Sequence, residues 1–176
     1  GAFGMMPAYS AALPVFGVKL ITVFPGNRGT NLDSHQGAVL LFDGKTGTLA
    51  AMLDASSITA VRTAAVSAVA TKLLARDDAS TLALLGSGVQ ARTHLEAIAL
   101  VRSLDAVRVF SPNRAHAAEF AAWAGMALGM TVDVCDSAER AVRGSDIVCT
   151  VTSSREPVVL GEWLEPGMHL NAVGAS

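Results

Sequence analysis

Two glycines and an alanine, Gly86, Gly88 and Ala91, follow the apolar run Thr81–Leu85 at a spacing that suits phosphate chemistry. In a strand–turn–helix, the first glycine makes the tight turn and the second lets backbone N–H groups approach a pyrophosphate. A small third residue packs the new helix onto its sheet. The Gly86-Ser-Gly88-x-x-Ala91 pattern is weak alone, because glycine turns after strands are common. Its place between an expected strand and helix, with another strand following, raises it to a dinucleotide-site candidate.

About twenty residues further on, such a unit normally carries an acid that binds both ribose hydroxyls and repels a 2′-phosphate. Here the segment is Val107-Arg-Val-Phe110-Ser111-Pro112-Asn113-Arg114. A guanidinium with neutral hydrogen-bonding neighbours attracts a 2′-phosphate, so Ser111, Asn113 and Arg114 favour NADP(H), with NAD as the other cofactor the turn could accept. The same Ser-Pro-Asn-Arg string also suits a plain helix start. Two isolated cations complete the candidate chemistry. Lys19 stands mid-strand among Val18, Leu20 and Ile21, and Arg62 lies in Thr59-Ala-Val-Arg62-Thr63-Ala-Ala. Cations in apolar surroundings suit a small carboxylate ligand or a structural ion pair, and the residues alone leave both open. His35, in Asp33-Ser-His35-Gln, is a lone loop histidine that reads as surface.

These groups need elements to position them. Strands are expected at Gly17–Phe24, Gln36–Phe42 and Thr48–Leu53, the last two joined by the turn Asp43–Gly47. That turn lacks Walker spacing and opens no helix, so a hairpin is expected. A helix follows from about Ser57 to Arg76, with Asp54, Ser56 and Ser57 as candidate caps. Asp77–Ser80 is the expected domain boundary, giving units 1–78 and 79–176. Beyond it strands (Thr81–Leu85, Val107–Phe110, Thr131–Val134, Asp146–Val151, His169–Val173) alternate with helices (Val89–Val101, Arg114–Ala127, Ser137–Val142). The fold class is therefore α/β, an incomplete Rossmann-type parallel sheet domain beside part of an α/β domain.

Composition narrows the function classes. With 51% hydrophobic and 16% charged residues, a folded protein is expected. A net charge of −2 without any Lys/Arg cluster gives no case for nucleic acid. Cys135 and Cys149 make neither a disulfide framework nor a zinc site, so no metal is expected, and they suit a reducing, cytoplasmic setting. Ile58–Ala75, broken by Arg62 and Lys72, reads as too short and too polar to span a membrane. No basic segment precedes an apolar run at the start, so no signal peptide is expected. The chain opens on Gly1 without Met and stops just after a strand-like segment, so both ends read as cuts.

Gly17-Val-Lys19-Leu, Ser34-His35-Gln, Ile58-Thr-Ala-Val-Arg62-Thr63-Ala-Ala, Gly86-Ser-Gly88-Val-Gln90-Ala and Leu170-Asn171-Ala-Val-Gly174-Ala, in that order, resemble the ornithine cyclodeaminase/mu-crystallin family. The resemblance covers nearly the whole chain. It implies a substrate-binding and dimerising domain built from both chain ends around a central Rossmann domain, a homodimer, and this chain as an internal fragment. It also implies roles. Lys19 and Arg62 match the substrate-carboxylate cations. His35 and Thr63 match positions near the cofactor, with Arg62 also on that side. Gly86, Gly88, Val89 and Gln90 match the phosphate turn. Thr150 and Thr152 match the strand end beside the nicotinamide, and Val173 and Ser176 are further expected cofactor-binding residues.

One departure separates branches. True ornithine cyclodeaminases carry a catalytic aspartate where this chain has Ser176. Serine cannot take up a proton as a carboxylate base does near neutral pH. The mu-crystallin-like branch has a similar Gly-Ala-Ser ending, tends towards NADPH and reduces cyclic ketimines. The expectation is an NADPH-dependent ketimine reductase acting on 1-pyrroline-2-carboxylate or 1-piperideine-2-carboxylate. The alternatives are an ornithine cyclodeaminase with recycled NAD and a non-catalytic NADPH-binding crystallin or hormone-binding protein.

Overall fold

A computed structural model describes residues 1–27 and 30–174. The chain forms two compact units, 1–61 and 62–176. The first is a four-stranded antiparallel sheet in sequential order, β1 (Ala2–Ser10), β2 (Val15–Val23), β3 (His35–Asp43) and β4 (Leu49–Asp54). Strand β1 has no counterpart in the sequence reading. Gly4 and Pro7 weaken its strand signal, and its side chains do not alternate: Phe3, Met5, Met6 and Tyr9 are all exposed. Proline is accommodated because β1 is an edge strand, where a missing N–H is tolerated. The turn after β3 is the expected hairpin. The Asp43 carboxylate accepts from the N–H groups of Lys45 and Thr46 and from the Thr46 hydroxyl, so it is filled by its own loop.

Helix α1 (Ala55–Leu74) starts in the first unit and continues into the second. The division therefore falls at Val61/Arg62, ahead of the expected Asp77–Ser80. The physical reason is that the second half of α1 belongs to the core of the parallel unit. By length and composition alone α1 is long and apolar enough to cross a membrane, contrary to the sequence expectation. Its buried stripe, however, is small and partly polar: Ala60, Ala64, Ser67, Ala68 and Thr71. Ser67 and Thr71 bond to His94 and Asn171, so this stripe packs within the parallel unit, while Val61, Val66, Val69 and Leu73 on the rest of the helix are exposed.

The second unit is a five-stranded parallel sheet built from β5 (Thr81–Leu85), β6 (Ala106–Phe110), β7 (Val132–Val134), β8 (Ile147–Thr150) and β9 (His169–Ala172). The strand order β7-β6-β5-β8-β9 places β5 at the centre, where the winding reverses. Residues 82–85 of β5 are all buried, as expected of a parallel strand covered on both faces. Alternation divides them: Leu82 and Leu84 join one core with Leu95, Ile98 and Phe120, while Ala83 and Leu85 join another with Ala141, Val142 and Val148. Helices α2 (Val89–Ala99) and α3 (Arg114–Leu128) thus cover one face, and α4 (Ala138–Val142) covers the other. The Asp146 carboxylate pins the start of β5 by accepting from the N–H groups of Ser80 and Thr81, and it pairs with Arg76.

Candidate functional site

The turn after β5 meets the demands of the glycine pattern, and the two glycines do different work. Gly86 has φ +122°, and a Cβ there would stand 2.5 Å from the Val151 carbonyl oxygen, so a side chain is excluded sterically. Its N–H donates to the Phe110 carbonyl at 2.9 Å, joining the ends of β5 and β6. Gly88 has φ −84° and ψ −163°, which most residues can adopt, and a Cβ there would meet nothing within 4 Å. The missing side chain at Gly88 leaves the approach to α2 open. Ala91 is fully buried where α2 lies on the sheet.

Helix α2 begins with no side-chain cap and no acid in its first turn. Its leading N–H groups and the positive end of its dipole are therefore available to an anion. The other helices of this unit that start from a strand end differ. Asn113 accepts from the N–H groups of Ala115 and His116 at the start of α3, and Ser137 accepts from Arg140 at the start of α4. The first turn of α2 is instead held from inside. Buried His94 places Nδ1 2.7 Å from the Gln90 carbonyl oxygen and Nε2 3.0 Å from Ser67 Oγ. Nδ1 thus carries the hydrogen and Ser67 donates to Nε2. Burial lowers the His94 pKa against the opposing effect of the Gln90 bond, so the ring stays neutral.

Parallel strands bring the other expected residues to the same carboxyl edge. Ser111, Asn113 and Arg114 follow β6; Thr150 ends β8 and Thr152 follows it; Val173 follows β9. The tips of β8 and β9 are closely joined: Gly174 N–H donates to the Thr150 carbonyl at 2.6 Å, and the Thr150 hydroxyl donates to the Gly174 carbonyl at 3.3 Å. Thr152 Oγ1 accepts from Ser154 N–H. Asn113 is spent on its helix, as the plain helix-start reading requires. Arg114 is exposed and paired with Asp136, a residue the sequence reading did not single out. The Arg114 guanidinium beside Asp136 holds that carboxyl below the usual carboxylate range. No motif signals Asp136; it faces Arg114 only because β6 and β7 are neighbours.

Two buried side-chain atoms in expected site residues have no hydrogen-bond partner among the described residues, Thr63 Oγ1 on α1 and Gln90 Oε1 on α2. Buried polar atoms are rarely left unmatched, and when they are, a missing ligand is one physical reason. In the first unit, Lys19 is half-buried on β2 and its ammonium donates to Thr59 Oγ1 at 2.5 Å; Thr59 passes its own hydrogen to the Ala55 carbonyl. Arg62 and Thr63 come three and four residues after Thr59 on α1, and Arg62 is exposed. His35 is exposed at the start of β3, its ring beside Ser34 Oγ at 3.0 Å. Ser176 lies outside the described residues.

A parallel sheet with a glycine turn at its reversal point and an uncapped helix after it defines a Rossmann-type dinucleotide-binding unit. The profile of the ornithine cyclodeaminase/mu-crystallin family matches residues 1–176, and the chain belongs to that family. The ketimine reductase mu-crystallin of Mus musculus is 47% identical over 176 residues, all of this chain and 55% of that protein. The structure of Thermococcus litoralis Δ1-pyrroline-2-carboxylate reductase, in complex with NADH and L-proline, superposes with a TM-score of 0.91 at 39% identity, covering 96% of this chain and 52% of that one. An archaeal alanine dehydrogenase dimer with bound NAD gives a TM-score of 0.90 at 34% identity, covering 98% and 52%. The chain spans about half the length of the relatives it matches.

Proposed function

We propose that the protein carrying this chain is a nicotinamide-dependent reductase of a cyclic ketimine, 1-pyrroline-2-carboxylate or 1-piperideine-2-carboxylate, with NADPH preferred over NADH. The observation that carries the cofactor half is the bare start of α2 behind Gly88, at the centre of the parallel sheet. Unmatched Thr63 Oγ1 and Gln90 Oε1 support it. The names of the mouse and Thermococcus relatives support imine reduction.

In this reading the first-turn N–H groups of α2 hold the pyrophosphate, and Gly88 lets it approach the backbone. Arg114 and Ser111 meet the 2′-phosphate. Thr150, Thr152 and Val173 line the nicotinamide side. A reduced nicotinamide supplies hydride to the imine carbon. Lys19 and Arg62 hold the substrate carboxylate, which restricts the ring to one orientation. The imine nitrogen carries a proton as its carbon accepts hydride, and Lys19 and water are the two sources. Ser176 in place of a carboxylate base favours net reduction over cyclodeamination. A homodimer is part of the same proposal, in keeping with the archaeal neighbour.

The test is an assay of the full protein that compares NADPH and NADH oxidation on both ketimines. Consumption of NADPH with either ketimine, and none with L-ornithine, is the expected result. Ammonia release from L-ornithine without added reductant would overturn it. Arg62→Ala should cost about tenfold or more in kcat/KM while NADPH still binds, since a charge-assisted contact to the carboxylate is lost.

A further inference from the structure

Three adjacent parallel strands end side by side. Gly86 N–H donates to the Phe110 carbonyl, and Cys135 N–H donates to the Val109 carbonyl, each at 2.9 Å. The glycine turn, the Ser111–Arg114 tip and Asp136 therefore share one edge of the sheet. At that edge the Asp136 carboxylate holds two guanidinium groups, Arg114 on Oδ1 and Arg140 on Oδ2, the latter at 3.4 Å. Asp136 makes no helix cap, because Ser137 fills that role for α4.

The carboxylate therefore engages Arg114 through one guanidinium nitrogen, Nη1, and competes there with a 2′-phosphate for the same cation. A phosphate monoester needs the same fork of N–H groups as a carboxylate, and it brings more negative charge. Binding a cofactor with a 2′-phosphate requires Arg114 to exchange Asp136 for phosphate, with two anions left close together. A cofactor with a free 2′-hydroxyl requires no exchange.

The geometry points to Asp136 as a specificity-determining residue, an internal competitor for Arg114 that reduces the preference for the phosphorylated cofactor. This rests on the reading of Arg114 as the group that meets the 2′-phosphate.

The experiment is a fluorescence titration of the full protein with NADPH and NADH, for wild type, Asp136→Asn, Arg114→Ala and the double variant. Exposed ion pairs of this kind contribute up to about 1 kcal/mol, so Asp136→Asn should tighten NADPH by about fivefold and move NADH by less than about twofold. The gain should vanish in the Arg114→Ala background. Unchanged NADPH affinity, or equal tightening of both cofactors, overturns the role of Asp136. If Arg114→Ala leaves the NADPH to NADH ratio unchanged, the Arg114 reading fails and this proposal fails with it. If Arg114→Ala moves the ratio and Asp136→Asn does not, only the Asp136 proposal fails. Melting curves with Asp136→Ala as a second exposed-site variant identify any change that comes from folding.

Discussion

Helices α2 and α3 follow neighbouring parallel strands, cover the same face of the sheet and begin in opposite ways. At α3 the chain satisfies itself: Asn113 accepts from two first-turn N–H groups, and the helix closes on Gly129 in a left-handed conformation. At α2 the capping residue is Gly88, which has nothing to offer, and the first turn is fixed through the Gln90 carbonyl by buried His94. The difference shows how a helix start can be held rigid while its first N–H groups carry no side-chain cap. One helix uses its own side chain to complete its start, and the other is held from the core with its start left uncapped.

Breaking the turn before α2 should have the largest effect. Gly86→Ala forces a side chain into left-handed backbone and against the Val151 carbonyl, so a stability loss of about 3 kcal/mol or more is expected by urea denaturation. Removing the internal tie comes next. His94→Gln should cost about 2 kcal/mol at pH 7, because a buried hydrogen-bonded ring is lost. The wild-type pH dependence identifies the group. The His94 pKa is lowered in the fold, so the unfolded chain takes up the proton first. His94's contribution is intact above about pH 6.5 and is lost as pH falls below it. His94→Gln should flatten that slope; an unchanged slope would assign the acid sensitivity elsewhere. Asn113→Ala should lose about 1 kcal/mol through its cap, with NADH affinity unaltered within about twofold. A large loss of NADH affinity there would mean that α3, too, presents its start to the cofactor.

Much of this was legible in the sequence, because the parallel unit announces itself locally. Thr81–Leu85 is a continuous apolar run, the glycines sit where backbone constraint requires them, and strand–helix alternation defines the sheet. The carboxyl-edge grouping of Gly88, Gln90, Arg114, Thr150 and Val173 follows from that alternation alone. What was missed depends on tertiary pairing. β1 carries proline, glycine and no alternation, and it becomes a strand only by pairing with β2. His94 has an ordinary position on α2 until Ser67 is brought to it from α1. Asp136 gains meaning from Arg114, which is distant in sequence and adjacent only across β6 and β7. The division inside α1 was likewise invisible, since one helix serves both units.

The most direct test of the account is to give α2 the cap it lacks. Gly88→Asp places a side-chain acceptor and a negative charge at the start of α2, where the backbone angles admit it and a Cβ meets nothing within 4 Å. As a helix cap the substitution should leave thermal stability unchanged or raise it by a few tenths of a kcal/mol. As an anion in the place of a pyrophosphate it should weaken both NADH and NADPH by about a hundredfold. A stable variant that no longer binds either cofactor is the predicted result. A stable variant with wild-type affinity would contradict the claim that the start of α2 holds the dinucleotide.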